Sequence, residues 1–194
     1  MINPIRILVA LGAFARLLAA GDSIPSGQCA YRIDPAHTRV EFTVDSTLHT
    51  IHGTFVLKRG DLRFDPATGK ASGELLVDAA SGESGSNARD NRMNSHILES
   101  QRYSEIAFRP ERVEGAIAPS GKSQLQLHGK LIIHGGEHEM TLPLAVDAEG
   151  GQYSVAASFE VPYVKWGMKN PSTLILRVSE RVEITVHTVA HLTN

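Results

Sequence analysis

Cysteine is almost absent: Cys29 is the only one in 194 residues. An internal disulfide is therefore excluded, as is a zinc or redox centre built on paired cysteines at set spacing. Cys29 also lacks the context for lipid attachment, because Ser26 stands three residues before it, where that signal normally places Leu. Charge of one sign is scarce too. The net charge is -2 and no long run of one sign occurs, so the clustered basic face that nucleic acid requires is missing. No uninterrupted apolar run approaches the roughly 20 residues of a membrane helix. There is no Gly-x-Ser-x-Gly elbow, and Cys29 has no activating partner. Asp78 and Glu83 lack a context that would separate their pKa values for acid–base work. The sequence therefore offers no enzyme chemistry. Aromatic residues are 6% of the chain and include a single tryptophan, yet 42% is hydrophobic, which excludes a disordered chain.

What is present starts with a leader-like N-terminus. Arg6 supplies a positive start, Ile7 to Ala15 is apolar, and Ala19-Ala20-Gly21 offers small residues for cleavage. Residues 1–21 are expected to be a signal peptide, 22–30 a linker, and 31–194 one domain that works in the periplasm or is secreted.

From Tyr31 onward the dominant period is two. Val40, Phe42 and Val44 alternate with polar residues, as do Leu75 and Val77, Ile106 and Phe108, and Leu125, Leu127, Leu131 and Ile133. Met140, Leu142, Leu144 and Val146 follow, then Val155, Ala157, Phe159 and Val161. A last long strand is expected to open at Leu174 and Leu176 and to end in Val182, Ile184 and Val186. Turn signals separate the runs: Asp65-Pro66-Ala67-Thr68-Gly69-Lys70, His134-Gly135-Gly136-Glu137 and Glu149-Gly150-Gly151. About eight strands at hairpin spacing predict an all-β fold, either an up-and-down barrel or a sandwich. Asn87 to Ser100 breaks the period. Met93, Ile97 and Leu98 fall at helical spacing there, which predicts one short amphipathic helix over the barrel or its mouth.

Several constellations carry a functional and a bland reading. His49 and His52 point to opposite faces of a strand, and His134 and His138 span a glycine turn. A zinc site needs three or four converging ligands, so these read as solvated histidines and a His-based metal site stays an alternative. Arg89 and Asp90 read as an anchor tying the helix to the barrel. Val161 to Pro171 holds Tyr163, Val164, Trp166 and Met168; such a loop either plugs a barrel end or covers a cavity.

An ordered series of segments resembles the YceI-like family of lipid- or polyisoprenoid-binding proteins. It runs from Tyr31-Arg32-Ile33-Asp34-Pro35-Ala36-His37-Thr38-Arg39-Val40-Glu41-Phe42 through Gly53-Thr54-Phe55 and Leu62-Arg63-Phe64-Asp65-Pro66. It continues with Asn87-Ala88-Arg89-Asp90, Tyr103-Ser104-Glu105-Ile106-Ala107-Phe108, and Leu127 to Gly135. Two positions depart from the family pattern. Asp45 stands where a histidine is usual, and Val161 to Met168 replaces the usual Arg-x-Asp-Phe-Gly stretch.

The resemblance implies an eight-stranded antiparallel lipocalin-like barrel with one short helix, export to the periplasm, and a non-catalytic protein without cofactor. The implied ligand is an amphiphile such as an isoprenoid quinone or polyprenyl lipid. Expected pocket residues are Phe42, Phe55, Phe108, Leu131, Phe159 and Leu176. Expected lid residues are Met93, Tyr163, Trp166 and Met168. Arg89, His96 and Lys165 are expected at a polar headgroup, and transient contact with a membrane or membrane protein is compatible with such a ligand. The alternating pattern says which residues share a face, but leaves open whether that face lines a cavity or packs shut as a filled interaction module.

Overall fold

A computed structural model describes residues 27–193. The expected leader, residues 1–21, and linker residues 22–26 lie outside the described residues. The strands are β1 (Cys29–Ile33), β2 (Arg39–Asp45), β3 (Thr50–Phe55), β4 (Leu57–Phe64), β5 (Ala71–Asp78), β6 (Glu105–Glu114), β7 (Gly121–Ile133), β8 (Gly136–Glu149), β9 (Gln152–Val161) and β10 (Val182–Thr193). They pair antiparallel in the order β1-β4-β5-β6-β7-β8-β9-β10, and β10 returns to β1 to close the ring. Closure removes the free edges that would otherwise invite another chain.

Ten segments make eight walls. β1 and β2 both lie along β10, Ile33 opposite Ala190 and Arg39 opposite His187. A turn at Pro35–His37 separates them, capped by the Asp34 carboxylate accepting from the Ala36 N–H at 2.9 Å. β3 and β4 form a second broken wall, interrupted at Val56, whose N–H donates to Ser81 Oγ at 2.8 Å. The barrel is thus eight-stranded, as expected. Register shifts at Leu57/Arg59 and at Pro110/Arg112 bend two walls. A bulge tolerates the missing N–H of Pro110 in an otherwise continuous strand.

Two hairpins follow directly from their turn residues. β7 and β8 close with Ile133 opposite Gly136, leaving a two-residue loop in which His134 and Gly135 have φ of 50° and 77°. β8 and β9 close the same way through Gly150 and Gly151 at 57° and 82°. Positive φ at both loop positions matches the twist of the flanking strands.

Two boundaries differ from expectation. β1 begins at Cys29, so Cys29 and Ala30 are paired strand residues rather than linker: Cys29 lies opposite Phe64 and Ala30 opposite Thr193. The last strand begins at Val182, not at Leu174. Thr173 and Leu176 instead flank a tight turn, closed by the Thr173 N–H donating to the Leu176 carbonyl at 2.7 Å. Val178 makes a single bridge to Ser46.

The expected helix is present as α1 (Asn87–Arg92), which widens into a π turn over Met93–Ile97. Arg89 and Asp90 anchor it, as the sequence suggests. The Arg89 guanidinium donates to Ser84 Oγ and to the Ser84 carbonyl, both at 2.7 Å, while the Asp90 carboxylate accepts from the Ser84 N–H and hydroxyl. The neighbouring Glu83 bridges Thr54 of β3. Polar groups thus clamp the helix to one barrel end, and Met93 and Ile97 turn inward to pack on the core.

Candidate functional site

The inward side chains of the eight walls do not close on one another. They surround a cavity of about 690 Å³, within the range of pockets that hold a drug-sized or larger ligand. The described residues include no large side chain that is fully buried, as expected when each core residue faces open space on one side. The layers are cross-strand pairs. Phe108 lies opposite Leu131, Leu127 opposite Leu142, and Ile184 opposite both Phe42 and Phe159. All of these line the cavity. Phe42 and Phe55 meet at 5.4 Å between ring centroids, and Gly53 lies under the Phe42 ring where a Cβ could not fit.

The two ends differ in chemistry. At the far end Tyr31 and Tyr153 meet edge to face at 5.1 Å, and Arg63 of β4 is the one charged residue in the lining there. Burial, with Cys29 and Tyr153 adding, pushes the Tyr31 phenol up, so it remains neutral. At the helix end the lining turns polar: Ser46 and His49 from the β2–β3 loop, then Ser84, Ser86, Arg89 and Arg92. The polar groups are confined to the rims, with few exceptions. One is the Thr38–Thr188 hydroxyl pair in the wall, which is satisfied at 2.5 Å.

Part of the helix end is plugged. Tyr163 and Met168 are buried in the core, and the Tyr163 hydroxyl donates to the Ser179 carbonyl at 2.8 Å. Burial, with Glu180 adding, pushes that phenol up to about 12, so it keeps its proton and the hydrogen bond.

All six expected pocket residues, Phe42, Phe55, Phe108, Leu131, Phe159 and Leu176, line the cavity. Of the lid residues, Met93, Tyr163 and Met168 do so; Trp166 does not. Its indole lies flat on the His138 imidazole, 3.9 Å between centroids and 6° apart in plane. Of the headgroup residues only Arg89 reaches the rim. His96 and Lys165 are exposed outside the lining: His96 lies on the outer side of the π turn, and Lys165 lies in the turn at 163–167, where strand alternation does not hold. Arg92 and His49 at the rim escaped the sequence reading. Arg92 had a signal, since it stands three residues after Arg89 and so shares its helix face. His49 had only its parity with Ile51 and Phe55.

His134 and His138 do not converge. His134 packs on Tyr103 at 4.7 Å and faces Glu99 at 3.7 Å, whereas His138 lies under Trp166. Among the described residues no three His, Cys, Asp or Glu side chains gather in a metal-binding group.

These features define a closed antiparallel barrel with an apolar interior cavity and a partly lidded helix end, an architecture wide enough to hold one small ligand. The chain matches the family model described as the YceI-like domain over residues 31–190, and it belongs to that family. Among solved structures it is similar to a polyisoprenoid-binding domain from Saccharophagus degradans implicated in plant cell wall breakdown. That similarity has a TM-score of 0.69 and 16% identity, covering 85% of this chain and 99% of that one. It is also similar to BcnA of Burkholderia cenocepacia, with a TM-score of 0.66 and 21% identity over 81% of this chain and 98% of that one. The YCEI protein of Campylobacter jejuni follows at 0.54 and 14%, over 77% and 82%. At these identities the solved structures establish the fold. Comparison with curated protein sequences returned no match.

Proposed function

We propose that this protein is a non-catalytic carrier for an amphiphile whose long apolar tail, of the isoprenoid quinone or polyprenyl lipid kind, is held inside the barrel. The observation that carries the reading is the cavity itself: about 690 Å³, lined almost wholly by aliphatic and aromatic side chains, with its polar side chains concentrated at the helix end. At about 30 Å³ per water-sized group, it has room for on the order of twenty methylenes. Burying each is worth about 0.8 kcal/mol. An association cost of about 8 kcal/mol then leaves about 8 kcal/mol, the free energy of micromolar binding. The polyisoprenoid-binding description of the Saccharophagus degradans domain supports the same ligand class.

The tail lies along the barrel and the headgroup rests at the helix end, among Arg89, Arg92, Ser84, Ser86 and His49. A filled interaction module, the rival reading, would have no use for an open interior of this size. The leader-like N-terminus supports export to the periplasm or secretion, and the intact mass of purified protein tests this by locating the N-terminus. Ligand class is tested by titrating the protein with a long-chain quinone in detergent. Saturable uptake near one to one is expected; absence of uptake contradicts the carrier.

A further inference from the structure

The rim carries a feature that ligand binding alone does not use. Thr173, Leu174, Ile175 and Leu176 form the tip of a finger, and the central pair, normally the place of Gly, Asn or Asp in a turn, is Leu174 and Ile175. They are 97% and 87% exposed. Beside them, on the β2–β3 loop, Leu48 is 71% exposed. The two loops are laced together: the Thr47 N–H donates to the Arg177 carbonyl at 2.9 Å, the Arg177 N–H to Thr47 Oγ1 at 3.3 Å, and Ser46 bridges Val178. Ser172 Oγ accepts from the Val178 N–H at 2.8 Å and stiffens the base. The three apolar tips are therefore held out in water by a built scaffold. Residues beside them on the same loops, Leu176, Val178 and His49, and Leu48 itself, line the cavity.

Charge around the finger is one-sided. Neither Ser46–Val56 nor Val161–Ser179 contains an Asp or Glu. The second stretch carries Lys165, Lys169 and Arg177. Arg92 of α1 approaches it, donating to the Pro171 carbonyl at 3.5 Å. Among the described residues none of these four cations is in an ion pair, whereas Lys58, Arg59, Arg109 and Arg181 elsewhere are. The carboxylates that flank these stretches in sequence, Asp45 and Glu180, stand at the base of the finger; Asp45 already accepts from the Thr50 hydroxyl, and Asp90 of α1 from Ser84.

We propose that the finger tips Leu48, Leu174 and Ile175 insert into the surface of a lipid bilayer bearing anionic headgroups, with Arg92, Lys165, Lys169 and Arg177 against the phosphates, so that the cavity mouth opens onto the membrane. Apolar insertion and electrostatic attraction are the two signals that stable but reversible surface binding requires. The role of this docking rests on the carrier reading; the docking itself does not, because it needs no bound ligand.

The test is sedimentation of the purified, ligand-stripped chain with vesicles of phosphatidylcholine alone or mixed with phosphatidylglycerol. Wild type and variants share one N-terminus. The wild type should bind the anionic vesicles at least tenfold more tightly than the neutral ones. Leu174→Ser with Ile175→Ser should weaken binding to anionic vesicles at least tenfold at unchanged melting temperature. Lys169→Ala with Arg177→Ala should abolish the preference for anionic lipid, as should high salt. Wild type that binds neither vesicle, or a double-serine variant that binds like wild type, overturns the proposal. Sedimentation velocity that finds a dimer lost in the double-serine variant, without vesicle binding, would assign the finger to a second copy instead. Quinone uptake from detergent, measured alongside, separates the outcomes: docking without uptake defeats the carrier, and uptake without docking defeats only this proposal.

Discussion

At the scale of single residues, the molecule contains its own reporter. Trp166, the sole tryptophan, lies on His138. Burial holds His138 below its ordinary value near 6.5, and its Nε2 is buried without a hydrogen-bond partner. The unfolded chain therefore binds more protons than the folded one as pH falls through 6.5. Stability contributed by this site is full above that pH and declines on acidification until the folded imidazole also protonates. An imidazolium stacked on the indole quenches it, so Trp166 fluorescence is expected to fall with a midpoint below 6.5. The His138→Gln variant should show no such step; a midpoint above 6.5 would refute the burial argument. Arg89 makes a separate prediction. Its charge-assisted hydrogen bonds to Ser84 are each of the kind worth about 1.5 to 3 kcal/mol. Arg89→Ala should therefore lower stability by about that amount in denaturant melts, with faster hydrogen exchange in residues 84–98.

At the scale of elements, turn chemistry and parity explain most of what the sequence revealed. Hairpins at His134-Gly135 and Gly150-Gly151 were legible because only positive φ closes a two-residue loop with the right twist. The interior face was legible because period two persists through β7, β8 and β9. The broken walls were not. The Pro35–His37 turn and the break at Val56 depend on pairing to β10 and on Ser81, contacts distant in sequence. The finger reads as a strand in the sequence because Leu174, Leu176 and Val178 keep the alternation of a strand; the contacts that shape it instead, Thr47 with Arg177 and Ser46 with Val178, join residues about 130 positions apart. Trp166 was misplaced for a similar reason, since nothing local reveals that His138 offers it a stacking face. Gly53 tests the wall at this scale. A Cβ there would stand 2.3 Å from the Phe42 ring and 2.4 Å from the Glu83 carbonyl. Gly53→Val should thus cost about 1 to 3 kcal/mol, the range for overpacking a close-packed site, read as a lowered denaturation midpoint.

For the whole molecule, the defining choice is an open interior in place of a filled one. A barrel of this size could have been packed shut by larger residues. Instead Ala157 lies on the lining opposite Leu144 and Val186. Filling that space should trade function for stability: Ala157→Phe is expected to hold or raise the melting temperature while weakening quinone uptake at least tenfold. A variant that melts earlier and binds normally would place the ligand elsewhere.

The central claim, that the cavity is occupied by an apolar tail, is met most directly by native mass spectrometry of the purified protein, followed by organic extraction of what co-purifies. The account predicts a long-chain isoprenoid or lipid near one-to-one stoichiometry, displaced in the Ala157→Phe variant. A clean ligand-free mass, with no uptake of added quinone or polyprenyl lipid, would contradict it.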